Sequence, residues 1–543
     1  MSGSTEYRKS PEMEKEPLFD ERSLSDMESD ADSEATLHYN APGPRYSPHF
    51  LYAVNPNVRT WRVQSWRHLL GQIGFALLPS FIQSRIRRDE RKPEKLYPTA
   101  YLDGMRGLAA LFVFFCHFSY GCFSITRGYG YVWDDGQQND YLLQLPIIRL
   151  IYSGPPMVCI FFVISGYALS LKPLKLMRSR SWDAMSVTMS SSIFRRGLRL
   201  FIPTAISTFL VVLLVQFGFY DSTREFAADE SYFRAIKEYH QVRMETFYQQ
   251  FWDWAWRMFE FIHIWSFDQF GGSTGYDLHL WTIPLEFRAS MLLFLLQMGL
   301  ARVRTWIRWM CLFAFMWFSF RNNRWEMILF VSGMLLAELD LIRIARKNTS
   351  SNLPFSTLPS SLHSWSEKAL QAKKSGWFLK KYGWFFLAFC SLYLMSQPDE
   401  DSSETPGYIY LASLIPEWFA DKYRFWQGIG SILFVLATNF SPTLQQPFNT
   451  SVVQYFGNIS YAIYLMHGPV LHTAGYSIMR WSWRITGHET QGQYVSGFAL
   501  SAIFIVPLVI WAADLFWRFC DAPTVRFAKW TETKCVGEDD TAR

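Results

Sequence analysis

Arg106 and His117 lie eleven residues apart in LDGMRGLAALFVFFCH, a stretch that otherwise reads as apolar helix. At 3.6 residues per turn this spacing is close to three turns, so both side chains share one face, about 16 Å apart along the axis. Ionisable groups are costly inside a bilayer, where they face a protein interior or a wet cavity rather than lipid. In LHLWTIPLEF, His279 and Glu286 are seven apart and also share a face, with Pro284 expected to loosen the helix between them. Counting inward from the two ends of these apolar stretches brings His117 and Glu286 to nearly one depth. A carboxylate that orients an imidazole makes a general base able to take a proton from a hydroxyl, so His117 and Glu286 are the expected catalytic pair. A purely structural His–Glu or Arg–Glu pair, with Arg288 nearby, would use the same residues.

Around this pair stand groups suited to holding a ligand. Arg196 and Arg199 of FRRGLRLFIP are one helical turn apart, so both guanidinium forks can point the same way. Arginine pairs phosphate bidentately, which suits a phosphorylated ligand, although an arginine cluster beside an apolar run is also an orientation signal. Asp103, one turn before Arg106, is expected to position that arginine. His467 falls midway along FGNISYAIYLMHGPV, with Tyr464 and Tyr461 one and two turns before it. His467 and Tyr464 are candidate site residues, and a histidine beside Gly468-Pro469 could instead bond a carbonyl that the proline frees.

These groups need elements to hold them. Apolar windows of about 20 residues span a bilayer core of about 30 Å, and ten stretches qualify in whole or part: 102–123, 146–171, 200–220, 279–301, 309–320, 325–341, 383–396, 426–440, 457–477 and 495–517. The expected fold is all-α, a polytopic membrane bundle of about ten transmembrane helices. Lys and Arg concentrate in the linkers after the second, fourth and sixth stretches, which by the positive-inside bias puts those linkers and both termini in the cytosol. Residues 1–60 read as a disordered cytosolic tail that is acidic and Ser-rich from about Glu14 to Glu34 and has no signal-peptide pattern. Residues 61–100 are an amphipathic interfacial and basic segment interrupted at Pro79, residues 101–527 the membrane domain, and 528–543 a cytosolic tail. The sequons at Asn348 and Asn449 fall on the expected cytosolic side and should stay unglycosylated.

Composition excludes several classes. Half of the 543 residues are hydrophobic, and the net charge is only +5, with the basic residues beside apolar runs; nothing suggests a nucleic-acid partner. The seven cysteines are scattered without a C-x-x-C pair, so neither a zinc site nor a disulfide framework is expected.

Seven stretches, in order, resemble the acyltransferase 3 family of integral membrane O-acyltransferases: LDGMRGLAALFVFFCH, FFVISGYALS, RRGLRL, LWTIPLEF, the SG of VSGMLLAELD, FGNISYAIYLMHGPV and DAPTVRF. They cover essentially all of residues 100–527. Asp521 stands where an acidic Glu-x-Pro is commoner, and the linker 221–278 is long. The resemblance implies a bundle of about ten helices that moves an acyl group, often acetyl, from cytosolic acyl-CoA to a hydroxyl of a carbohydrate, a lipid-linked glycan or another small molecule, secondary metabolites included. It implies that Arg106, Arg196 and Arg199 hold the CoA phosphates and that His117, assisted by Glu286, deprotonates the acceptor. Acyl-CoA is then a co-substrate rather than a bound cofactor, and no metal is needed; direct transfer and a covalent acyl-histidine both stay open. The rival reading is a proton-coupled transporter using His117, Glu286 and His467, which gives no reason for paired arginines at one mouth.

Overall fold

The computed structural model describes residues 66–86, 96–265, 274–351 and 382–536. The expected N-terminal tail, most of the linker after the sixth apolar stretch and the last seven residues lie outside these. Every one of the expected apolar stretches falls on a helix. Among the described residues there is no strand, only an isolated bridge between Val132 and Gln138. Helices Ala100–Ser119, Gly154–Ser179 and Trp182–Gln216, and the continuous run Gln491–Cys535, are long and apolar enough to cross a membrane.

The segment around Pro79 forms two short helices, α1 (Trp66–Leu77) and α2 (Ser80–Ile86). Proline cannot continue the α1 hydrogen-bond ladder, and the carbonyls left at the break find other donors. Arg518 donates to Ala76 and Leu78, and Trp511 donates to Leu77. Leu70, Ile73 and Leu77 of α1 remain exposed.

Helix α3 (Ala100–Ser119) is the central element. Tyr101, Leu102, Met105, Ala109 and Val113 enter one hydrophobic cluster, while Ala110, Leu111, Phe114 and Phe118 enter a second. A helix apolar on all sides is one that protein surrounds. The stretch 146–171 was expected to be helical throughout, but 3₁₀ turns occupy Leu142–Gln144 and Ile148–Tyr152, and α4 runs Gly154–Ser179. Pro155 and Pro156 account for the late start, since proline is tolerated in a first turn and not within a helix. Helix α5 (Trp182–Gln216) has 35 residues, roughly 52 Å at 1.5 Å per residue. The Arg195–Arg199 cluster therefore sits in mid-helix, not at a helix start.

After α5 the chain forms α6 (Asp221–Ala228) and α7 (Phe247–Ile262), then returns through the 3₁₀ turn Leu278–Trp281 into α8 (Thr282–Gly299). Pro284 lies in the first turn of α8, where its missing N–H costs nothing, so it does not loosen the helix as expected. Helices α9 (Thr305–Arg321), α10 (Trp325–Ser351), α11 (Tyr382–Met395) and α12 (Lys422–Phe440) follow. Helix α13 (Ser451–Val470) continues through a π turn, Leu471–Gly475, into α14 (Tyr476–Thr486). The last run comprises α15 (Gln491–Phe516), a π turn over Trp517–Asp521 and α16 (Ala522–Cys535). Ordered helix thus extends past residue 527, and Glu532 pairs with Arg195 at 3.0 Å.

Small residues set the closest helix contacts. A Cβ on Gly107 would lie 2.3 Å from the Gly457 backbone nitrogen, and one on Gly104 would meet the Phe448 carbonyl, so α3 approaches α13 backbone to backbone. Gly166 of α4 and Gly333 of α10, each from an S-G pair, meet in the same way. These contacts set α3 against α13 and α4 against α10 at backbone distance. Elsewhere two buried arginines are paired with carboxylates: Arg288 with Glu326 at 3.0 Å, and Arg308 with Glu338.

Candidate active site

Three imidazoles from separate elements converge where α3 ends. The His117 ring centroid lies 4.1 Å from that of His279 and 5.2 Å from that of His467, and His279 and His467 are 4.7 Å apart. His117 comes from the last turn of α3, His279 from the 3₁₀ turn before α8, and His467 from α13. The approach is tight enough that a Cβ on Gly468 would lie 2.9 Å from both Asp277 and His279.

Each ring has a defined set of partners. His467 donates from Nδ1 to the Ile463 carbonyl at 3.1 Å, which leaves Nε2 as its lone-pair nitrogen. His467 Nε2 and His117 Nδ1 are both buried and have no hydrogen-bond partner among the described residues. His279 is committed at both nitrogens, with Nδ1 2.8 Å from Asp277 Oδ1 and Nε2 2.7 Å from Glu238 Oε1. Glu238 belongs to the connection between α6 and α7, and its other oxygen meets His472 Nε2 at 2.6 Å. His472 Nδ1 is 3.0 Å from His240 Nδ1, and His240 Nε2 reaches the Tyr220 carbonyl at 2.7 Å. The Tyr464 hydroxyl donates to the His279 carbonyl and lies 2.7 Å from Thr282 Oγ1, fixing the turn that carries His279.

Local structure explains how α13 supplies two histidines. His467 and His472 are five residues apart, which on a regular helix would turn them to different sides. The π turn beginning at Leu471 widens the helix and brings His472 round toward His279, at 6.4 Å between ring centroids. Pro469 cannot donate to Leu465, and the Ser207 hydroxyl takes that carbonyl at 2.8 Å. The freed carbonyl is therefore not the partner of His467.

Glu286 is elsewhere. It accepts from Arg196 at 2.7 Å and from Ser165 at 3.2 Å, so the expected His117–Glu286 pair is replaced by Arg196–Glu286. The depth count failed because His117 meets His279, about two turns before Glu286 on the same strand of chain. The carboxylates beside the histidines are Asp277 and Glu238 instead. Glu238 was invisible to helix periodicity because it lies in a connection; the Asp-x-His spacing at Asp277 and His279 was the available signal.

The expected arginines do come together. Arg106 pairs with Asp103 at 2.8 Å, as the one-turn spacing implied. Arg199 lies in the field of Arg196, Asp521, Arg106 and Glu286, and among the described residues it makes no ion pair. Arg106 and His117 sit on the same helix, so the arginine group and the histidine group are about 16 Å apart along α3.

The ring nitrogens of His117, His279 and His467 lie within 4.8 Å of one another, near enough for one metal ion. His279 would have to release Asp277 or Glu238 to become a ligand, which leaves two uncommitted nitrogens for a centre that ordinarily takes three or four ligands. The donor set fits proton transfer better.

Outside the apolar stretches, burial and then the neighbouring His472 pull the His240 imidazole down to about 4. Burial alone would raise the Glu238 carboxyl, but the imidazoles, His279 first, outweigh it and hold Glu238 well below the usual carboxylate range.

An acyltransferase domain family matches residues 99–518. The chain is 34% identical over 480 residues, 86% of this chain and 89% of the relative, to O-acetyltransferase PaAT-1 of Phomopsis amygdali. It is 25% identical over 455 residues to acyltransferase R4 of a Phoma species, covering 78% of this chain and 94% of that one. A third relative, acyltransferase clz18 of Cochliobolus lunatus, is 26% identical over 468 residues, again 78% and 94% of the two chains. No solved structure matches the chain.

Proposed function

Since the chain belongs to the acyltransferase 3 family, we propose that it moves an acyl group, acetyl in the first instance, from cytosolic acyl-CoA to a hydroxyl on a small-molecule or glycan acceptor. The observation that carries this reading is the pair of buried, uncommitted ring nitrogens, His117 Nδ1 and His467 Nε2, at the meeting of three elements. An imidazole with a free lone pair accepts a hydroxyl proton; one already bonded at both nitrogens does not.

His117 is the base in this mechanism. The acceptor oxygen forms a bond to the thioester carbonyl carbon as the hydroxyl proton passes to His117. The carbon–sulfur bond then breaks, and His117 returns the proton to the departing CoA sulfur. His467, stacked beside His117 at 25° between ring planes, holds the ring in place and offers its own free nitrogen to the acceptor. The phosphates of CoA are assigned to Arg199 with Arg196 and Arg106. Arg199 is the arginine least committed to a carboxylate, so it is the first contact, and the about 16 Å to His117 suits an extended pantetheine arm. Glu286 holds Arg196 on this view and takes no part in the proton transfer.

All ten helical stretches cross the membrane in this reading, with both termini and the arginine group on the cytosolic side. Acceptors that carry an apolar body would reach the histidines from the other side or from the bilayer.

Membranes carrying the protein, supplied with labelled acetyl-CoA and an acceptor pool, test the assignment. His117→Ala is expected to lower the turnover about 10²- to 10⁴-fold at unchanged thermal midpoint. Arg199→Ala, which breaks no ion pair among the described residues, should raise KM for acetyl-CoA with kcat largely kept. Full turnover in His117→Ala removes His117 as the base, and wild-type membranes that transfer no label from any acyl-CoA remove the acyltransferase reading itself.

A further inference from the structure

The chain of groups running outward from His279 has a proton count that its geometry dictates. Five hydrogen bonds link Asp277, His279, Glu238, His472, His240 and the Tyr220 carbonyl in sequence. Each bond needs one hydrogen, and neither an ionised carboxylate nor a backbone carbonyl brings one. Three neutral imidazoles supply three hydrogens, so filling the chain takes two more protons. Their charge is balanced by the two carboxylates, so the filled network is neutral, which suits a site shut off from water.

The same geometry says where the extra protons sit. His240 bonds a carbonyl at Nε2, so that nitrogen carries hydrogen. With burial keeping this imidazole neutral, its Nδ1 accepts from His472. His472 meets His240 at Nδ1 and Glu238 at Nε2. His279 stands between two carboxylate oxygens and so has hydrogen at both nitrogens. The result is a fixed imidazolium at His279 with its ring edge-on to His117, 4.1 Å between centroids.

Resting on the acyltransferase reading above, we infer that Glu238 is a positioning residue for catalysis: with Asp277 it holds His279 protonated and bonded at both nitrogens, which fixes the ring against which His117 is set. A ring held at both nitrogens cannot rotate, so the base it packs against is oriented before substrate arrives. Because Glu238 is 7% exposed and spans both His279 and His472, the α6–α7 connection also locks onto α13 through it. The titratable groups facing His279 are His117 from α3, Tyr464 and His467 from α13, His472 from the π turn and Glu238 from the connection, with Asp277 on its own segment.

The sign of the pH effect follows. Glu238→Gln removes one of the two anions that hold the second proton on His279. That proton is then lost at lower pH, and activity that needs the cation is lost with it. In full-length protein in detergent or membranes, kcat for acetyl transfer from acetyl-CoA is measured against pH for wild type, Glu238→Gln and Glu238→Asp. Glu238→Gln should lower kcat about 10- to 100-fold near neutrality and move the alkaline limb of the profile down by about one pH unit or more. Glu238→Asp keeps the charge but reaches less far, so its kcat should drop while the alkaline limb stays near the wild-type position. A wild-type limb in Glu238→Gln, whatever its kcat, overturns the inference and leaves a structural role only. Should Glu238→Gln not fold, Asp277→Asn removes the other anion and must move the same limb in the same direction. Loss of transfer in wild type itself fails the acyltransferase reading, a result distinct from any of these.

Discussion

Hydrogen-bond partners, rather than residue types, assign the roles at this site. Of the histidines gathered there, His279 and His472 are bonded at both nitrogens, and only His117 and His467 keep a free one. His240 gives the residue scale a test in stability. Its imidazole is pulled down to about 4 in the fold, against about 6.5 in an unfolded chain. Between these values the unfolded state binds the extra proton, so stability is full above about 6.5, falls as pH drops toward 4 and levels off below that. Thermal midpoints in detergent should follow this course, and His240→Gln should flatten the difference between pH 6.5 and pH 4. An unchanged slope would mean that His240 charges in the fold as readily as in the unfolded chain.

At the scale of elements, the site exists because α3 and α13 touch through glycine. A methyl at Gly107 would lie 2.3 Å from the Gly457 nitrogen, where no side chain can yield, so one helix must move away from the other. Gly107→Ala is expected to cost about 1–3 kcal/mol and to separate His117 from His467. Gly71→Ala in α1, where nothing lies within 4 Å, is the control and should be neutral or slightly stabilising. Comparing thermal midpoints and kcat of the two variants checks this; equal behaviour would show that the α3–α13 contact has room to spare. The π turn after Pro469 is the second element-level device. It costs regular helix geometry and sets His472 where Glu238 can bridge it to His279.

For the whole molecule, the question is which helical stretches cross a bilayer and in which direction. With the arginine group cytosolic, Asn449 of the Asn-Thr-Ser sequon, in the 3₁₀ turn before α13, lies on the cytosolic side. Expressed in a eukaryotic membrane, the protein should show no mobility change on treatment with an N-glycosidase, and Asn449→Gln should migrate as wild type. A glycan at Asn449 would invert the arrangement and place the arginines opposite the cytosolic acyl-CoA pool. Exposed Tyr248, Trp252, Trp256 and Phe259 along one side of α7 suit the aromatic-rich boundary of a bilayer.

Much of this protein could be read directly from its sequence. Apolar length determined the helices, because each satisfies its own backbone hydrogen bonds locally. Fixed spacings along single helices determined that Asp103 would meet Arg106. His117, His467 and the arginines were legible as costly groups in apolar runs. Partners brought from different helices were not, since periodicity gives a face and a rough depth but no neighbour. Tertiary structure alone decided that Glu286 serves Arg196, that His279 faces His117, and that Glu238 reaches the site from a connection between helices. In each case long-range packing chose which carboxylate would balance which buried charge.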